Sequence, residues 1–237
     1  MDPMHPKYKR VLLKISGEAL AVKGNLGIND QVLMETAAQV KQLHDLGIQI
    51  GIVCGGGNFW RGRTSGDMDR ASADYMGMLA TVMNAIGLAD ALHRLGVPAK
   101  AFSAVGANKV AEPFTIRAAR QALEEGTVAI FGGGVGDPFF TTDTATALRA
   151  CEIEAEVILM GKSIDYVYDS DPAKNPDAKP YRHLTHEEVL AKQLGVMDAT
   201  AAALCRDNHI AIHMFGLADP ANVLKAACGE DVGTIIE

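Results

Sequence analysis

The apolar positions of this chain alternate between two periods. From Lys9 to Ile15, Val, Leu and Ile are dense and then give way to Ser16, Gly17 and Glu18, the pattern of a buried strand opening into a loop. From about Asp30 to Leu46, Val32, Leu33, Thr36, Val40 and Leu43 recur near helical spacing, and Gly47 stands where a helix stops. The run Ile48 to Cys54 completes a strand, helix, strand unit and ends in Gly55, Gly56, Gly57 and Asn58, a glycine-rich loop at the carboxyl end of a strand. A methionine-rich stretch from Arg70 to Leu95 predicts one long helix. Met76, Leu79, Met83, Ile86 and Leu92 supply much of its apolar face, to be used as core or as an oligomer contact.

The same reading predicts strands at Ala99 to Ser103, Thr127 to Phe131, Val157 to Met160 and Ala211 to Phe215, and an apolar tail at Thr234 to Ile236. Helical stretches fall at Phe114 to Glu124, Thr142 to Cys151, His186 to Lys192, Asp198 to Asn208 and after Pro220. Such alternation predicts an α/β fold, a mostly parallel sheet sandwiched by helices. Between Ile164 and Pro180, aspartates and prolines crowd into a turn-rich loop that reads as an excursion or a ligand lid. No internal repeat or flexible linker interrupts the pattern, so a single domain over 9–237 is expected after a flexible N-terminus, 1–8.

Composition narrows the classes. With 48% hydrophobic and 22% charged residues among 237, the chain reads as soluble and globular. A net charge of -7 and the absence of a Lys/Arg run argue against binding nucleic acid or an acidic membrane surface. The polar N-terminus lacks a secretory apolar run, and glycines and charges interrupt the hydrophobic stretches, so a cytoplasmic protein with no membrane segment is expected. Cys54, Cys151, Cys205 and Cys228 are too widely spaced for a zinc pattern and read as buried thiols.

Several segments carry candidate chemistry. Phe131 to Asp143 reads Phe-Gly-Gly-Gly-Val-Gly-Asp-Pro-Phe-Phe-Thr-Thr-Asp. Its glycines let backbone N–H groups approach a ligand closely, and Thr141, Thr142 and Asp143 add hydroxyls and a carboxylate where a helix can start. Lys14, flanked by apolar residues at a strand's carboxyl end, either finds an anion or sends its ammonium to solvent. Gly55 to Asn58 with Arg61 offers N–H donors, a predicted helix N-terminus and a guanidinium, a set that suits a phosphoryl group. Asp74 can accept hydrogen bonds from ribose hydroxyls or serve as a first-turn carboxylate. Asp143 and Asp198 can orient a lysine or engage a cation, and each also sits where a helix can begin. No Gly-x-x-x-x-Gly-Lys-Ser/Thr pattern is present, so phosphate chemistry would need a scaffold other than the P-loop.

Taken together, Lys14-Ile-Ser-Gly-Glu-Ala-Leu20, Gly55-Gly-Gly-Asn-Phe-Trp-Arg61, Asp74-Tyr-Met-Gly-Met-Leu-Ala-Thr-Val-Met-Asn84, Gly136-Asp-Pro-Phe-Phe-Thr-Thr-Asp143 and Val196-Met-Asp198 resemble the bacterial UMP kinases of the amino acid kinase superfamily over nearly the whole chain. The resemblance implies a three-layer α/β/α sandwich assembled as a homohexamer. It also implies transfer of the ATP γ-phosphoryl group to UMP, giving UDP and ADP in pyrimidine nucleotide synthesis, with Mg2+ bound through the nucleotide phosphates and no metal held by the protein itself. Lys14, Arg61, Asp143 and Asp198 become the implied catalytic residues.

By the same resemblance, Lys14, Ile15, Ser16, Gly17, Gly57, Arg61, Lys162, Tyr168 and Asp171 belong to ATP. Gly56, Asp74, Val135, Gly136, Asp137, Pro138, Phe139, Phe140, Thr141 and Thr142 belong to UMP. Val22, Lys23, Gly24, Asn25, Leu26 and Gly27 match an effector region through which GTP activates and UTP inhibits. One departure is Gly161-Lys162-Ser163, where the family often has Ala-Thr-Lys, which implies an altered donor pocket. The alternatives are a carboxylate or carbamate kinase of the same superfamily, against which Pro138 to Thr142 argues, and a noncatalytic nucleotide-binding or storage protein, against which the retained Lys14, Arg61, Asp143 and Asp198 argue.

Overall fold

Strand β1 (Arg10–Ile15) lies at the middle of a sheet whose neighbours are set by its continuous apolar run, buried on both faces. A computed structural model describes residues 5–22, 25–60 and 67–237. The other strands are β2 (Gln49–Cys54), β3 (Ala99–Ser103), β4 (Glu112–Pro113), β5 (Val128–Gly132), β6 (Val157–Lys162), β7 (Val167–Tyr168), β8 (Pro180–Tyr181), β9 (His183–Leu184), β10 (Ala211–Gly216) and β11 (Thr234–Ile236). The nine-stranded sheet runs β4-β3-β5-β2-β1-β6-β10-β11-β9, and only the β10–β11 pairing in it is antiparallel. The two remaining strands, β7 and β8, form an antiparallel ribbon that makes the turn-rich stretch an excursion from the sheet.

Helices α1 (Asp30–Asp45), α2 (Arg70–Arg94), α3 (Ile116–Glu124), α4 (Thr142–Ile153), α5 (His186–Ala191), α6 (Ala199–Asp207) and α7 (Asn222–Ala227) cover both faces. Strand alternation divides the core accordingly. Val11, Leu13 and Ile15 join the cluster shared with α1, α2 and α7, whereas Leu12 joins the one shared with α3 to α6. These are the layers of an α/β/α sandwich. Most helices begin where a short polar side chain caps them: Asn29 for α1, Asp69 for α2, Thr115 for α3, Thr141 for α4 and Asp198 for α6. Thr185 and Glu188 make a reciprocal capping box on α5.

Four expectations change. Gly55 to Asn58 leads into a turn rather than a helix, because the Phe59 and Trp60 N–H groups both return to the Gly56 carbonyl. In α2 the residues facing the core are mainly small, such as Ala73, Ala80, Ala85 and Ala89, while Met76, Leu79 and Met83 are exposed. Of the predicted face, Met76, Leu79 and Met83 are therefore surface, which leaves the second alternative, a contact surface, for them, while Leu92 is core. At 25 residues α2 is also long and apolar enough to cross a bilayer by length and composition, contrary to the reading of the hydrophobic runs; its packing against β3 and β5 accounts for that apolarity. At the N-terminus, the Lys7 N–H donates to the Ala227 carbonyl and Tyr8 is buried in the core, so packing starts ahead of β1.

Candidate active site

The period of β1 decides where its lysine goes. Lys14 shares its face with Leu12, the face covered by α4, and α4 carries Asp143 in its first turn. Lys14 Nζ accordingly meets Asp143 Oδ1 at 3.2 Å, with both side chains mostly buried. Two elements far apart in sequence thus bring one cation and one anion to the carboxyl end of the sheet. The strand-end position of Lys162 on neighbouring β6 adds a second ammonium. Burial lowers its pKa, Asp143 counters that, and Lys14 lowers it further.

Asp198 serves the other side of the same helix start. It caps α6 through the Ala201 N–H, and its carboxylate accepts hydrogen bonds from the hydroxyls of Thr141 and Thr144. Burial raises its pKa, but the Thr141, Ala201 and Thr144 hydrogen bonds together hold the carboxyl below the usual 3.8. Thr141 in turn caps α4 by accepting from the Asp143 and Thr144 N–H groups. The three residues Thr141, Asp143 and Asp198 therefore form one anchored corner. Thr144, the third residue of α4, belongs to it and was not foreseen, since its partner Asp198 lies far away in sequence.

A cleft of about 230 Å³ opens between the two glycine loops and α2. Of the residues expected at UMP, Gly56, Asp74, Val135, Asp137, Phe140, Thr141 and Thr142 line it. Phe139 takes part through its backbone: its N–H donates to Asp74 Oδ2 at 2.8 Å, and its φ of 73° lies in the left-handed region that non-glycine residues seldom occupy. Asp74 also receives Arg70 Nε at 2.8 Å, and the Arg70 guanidinium lies over the Phe139 ring. Asp74 is thus a fifth-position helix residue tying the loop to α2 and not a first-turn cap, which is Asp69. Gly136 and Pro138 continue the loop without lining the cleft.

The residues expected at ATP divide. Lys14, Ile15 and Ser16 border a cavity of about 260 Å³ with Gly161 and Leu217. Tyr168 and Asp171 border a different one of about 390 Å³ beside Pro172 and Gly195. Gly57 lines the cleft of the acceptor side. A side chain at Gly17 would strike Asn58 Oδ1 and the Gly55 carbonyl at 2.5 and 2.6 Å, so glycine there lets the first two loops touch. In the segment matched to effectors, Gly27 is bound to Asn58 through both its N–H and its carbonyl, while Val22 and Leu26 are exposed and Asn25 donates to the Val22 carbonyl. Arg61, Lys23 and Gly24 lie outside the described residues. Among the described residues, no three His, Cys, Asp or Glu side chains converge as metal ligands. Cys54 and Cys205 are buried, which pushes each thiol up to about 12.

The model of the amino acid kinase family matches residues 9–216. The chain belongs to the amino acid kinase family. Within it, the chain is similar to the UMP kinase of Bacillus anthracis, with 38% identity, a TM-score of 0.94 and coverage of 97% of this chain and 96% of that one. The UMP kinase of Ureaplasma parvum gives 38% identity, a TM-score of 0.91 and coverage of 97% and 98%. The uridylate kinase of Archaeoglobus fulgidus gives 25% identity, a TM-score of 0.73 and coverage of 96% and 99%. The family's kinase scaffold is therefore present from end to end, with the Lys14–Asp143 pair at the carboxyl ends of its central strands.

Proposed function

We propose that this protein is a UMP kinase, transferring the γ-phosphoryl group of ATP to the phosphate of UMP. The observation that carries the reading is the cleft in which Asp74, Val135, Asp137 and Phe140 to Thr142 face the Gly56–Gly57 loop, with the Lys14–Asp143 pair next in sequence beyond Thr142 on α4. Similarity to two UMP kinases along nearly the full chain supports the acceptor over carboxylates or carbamate. The same catalytic groups argue against a storage protein.

In the reaction, an oxygen of the UMP phosphate forms a bond to the γ-phosphorus as the bond to the bridging oxygen breaks, and that electron pair leaves with ADP. The acceptor oxygen is already ionised at neutral pH and needs no strong base. Lys14 offsets repulsion between the two phosphates and follows charge onto the transferring group, and Asp143 holds the ammonium in place. Arg61 supplies a second cation in this reading. Magnesium bound to the nucleotide phosphates would neutralise part of their charge. Asp143 is engaged by Lys14, and the Asp198 oxygens by two threonines, which fits a metal carried by the nucleotide rather than by a protein cage.

The reading extends to a cytoplasmic homohexamer of pyrimidine nucleotide synthesis, activated by GTP and inhibited by UTP. The exposed stripe of Tyr75, Met76, Leu79 and Met83 supports self-association. The attachment of Gly27 to Asn58 supports effector coupling through the first glycine loop. Purified protein supplied with ATP, magnesium and, separately, UMP, CMP, glutamate or carbamate tests the assignment. UDP should form fastest; preferential phosphorylation of another acceptor would overturn it.

A further inference from the structure

Both glycine loops of the site rest on one stripe of α2. Gly77, Thr81 and Asn84, with Asp74 one turn earlier, are spaced so that they share a helix face spanning about 15 Å. The loop after β2 crosses this face so closely that a side chain on Gly56 would meet the Gly77 carbonyl at 2.7 Å, and β5 ends so close to α2 that one on its last residue, Gly132, would meet Val82 Cα at 2.7 Å. Each loop is then pinned by a buried polar side chain. Thr81 Oγ1 donates to the Met78 carbonyl at 2.6 Å and accepts from the Gly133 N–H at 2.7 Å. Asn84, fully buried, donates through Nδ2 to the Gly55 carbonyl at 2.6 Å and exchanges a reciprocal pair of amide hydrogen bonds with Asn58.

The structure assigns Thr81 and Asn84 as positioning residues for phosphoryl transfer: Thr81 holds the Gly133 loop and Asn84 the Gly55–Asn58 loop, the two walls of one cleft, at a spacing fixed by a single helix. The inference rests on the reading of the site as a UMP kinase. Its physical basis is that an in-line transfer requires the two phosphates to be held close against their repulsion, so an error of about 1 Å in loop spacing costs rate. A helix is a rigid ruler for that distance, whereas the loops are not. Asn84 is sealed from the cleft, and Thr81, which borders it, spends its hydroxyl on the Met78 carbonyl and the Gly133 N–H. A buried N–H or carbonyl deprived of its partner would shift its loop to find water or another partner.

The test compares Thr81→Val, Thr81→Ser and Asn84→Ala with wild type, reading melting temperature, KM for UMP and for ATP, and amide hydrogen exchange over residues 132–140 and 55–60. Thr81→Val keeps the side-chain volume and removes the hydroxyl. It should raise KM for UMP roughly tenfold with KM for ATP within about twofold, and speed exchange over 132–140 only. Thr81→Ser should return KM for UMP to within about threefold of wild type by restoring the acceptor. Asn84→Ala should instead raise KM for both substrates, because its loop carries Gly56 expected at UMP and Gly57 expected at ATP, and should speed exchange over 55–60 only. Equal effects of Thr81→Val on both substrates, no kinetic effect of either variant, exchange that spreads from one loop to the other, or failure of serine to restore what valine removes would overturn the assignment. If wild type makes no UDP, the kinase reading fails; loop-specific exchange in the variants still decides whether α2 seats the loops separately.

Discussion

Lys14 Nζ stands 3.2 Å from Asp143 Oδ1, a pair drawn together by a strand and a helix separated by more than half the chain. An ammonium held in this way is preorganised for an anion and loses little by binding one. Replacing Lys14 by Met should lower kcat by roughly a hundredfold or more while leaving the fold intact, because the removed charge acts on the transition state. Steady-state kinetics with circular dichroism checks this; a kcat near wild type would remove Lys14 from the reaction.

Asp74 joins the acceptor loop to α2 through Phe139 and Arg70. Asp74→Asn weakens both contacts and also any ribose contact, so KM for UMP should rise about tenfold with little change in KM for ATP. Calorimetric titration with UMP provides the second readout. An unchanged UMP affinity would confine Asp74 to its bond with Arg70.

Asp198 caps α6 and gathers Thr141 and Thr144. Asp198→Ala removes the cap and the shared acceptor together, and should cost about 1 to 2 kcal/mol of stability from the cap alone. Chemical denaturation measures it. Because the folded carboxyl titrates below its usual 3.8, its contribution is complete above that value and is lost as pH falls through the lower, folded one.

Burial lowers the pKa of His186 and His213 below the ordinary 6.5 despite the carbonyls of Ile210 and Val232 that each faces. Below pH about 6.5 the unfolded chain takes up protons that the folded chain refuses, so stability should fall as pH drops, by at most about 1.4 kcal/mol per pH unit for each histidine. Urea midpoints at pH 7.5, 6.5 and 5.5 report the slope, and His213→Gln should reduce it. A slope indifferent to that substitution would assign the acid sensitivity to other groups.

Lys162 occupies the strand end where the resemblance leads one to expect threonine, and it feels both Lys14 and Asp143. Lys162→Thr should raise KM for ATP several-fold, about 1 kcal/mol of a charge-assisted contact, without altering KM for UMP. Donor titrations with ATP and GTP check this, and an unchanged ATP response would take Lys162 out of the donor site.

The parts of the molecule legible in the sequence are those whose cause is local. Lys14 follows from an apolar run ending at Ser16, and the glycine loops and α4 start follow from backbone freedom beside capping hydroxyls. The inner face of α2 is not legible: its alanines look unremarkable beside Met76, Leu79 and Met83, so periodicity leaves open whether the larger residues serve as core or as a contact surface, and these three face outward. Thr81 and Asn84 escaped for a related reason, since a polar residue inside a helix has meaning only once its partners at Gly133 and Gly55, far away in sequence, are known. The triple glycine at Gly55 to Gly57 misled in the opposite sense. It resembles the approach to a helix N-terminus, yet its freedom serves close packing against Gly17 and Gly77.

The central claim is that Lys14 and Asp143 sit where a phosphoryl group passes from ATP to UMP. Its most direct test is the initial rate of UDP formation, followed by phosphorus NMR with ATP, magnesium and UMP, for wild type and Lys14→Met side by side. Stoichiometric UDP and ADP from wild type, with the rate reduced roughly a hundredfold in the variant, is the predicted result. ADP without UDP from wild type, or equal UDP rates from the two proteins, would contradict it.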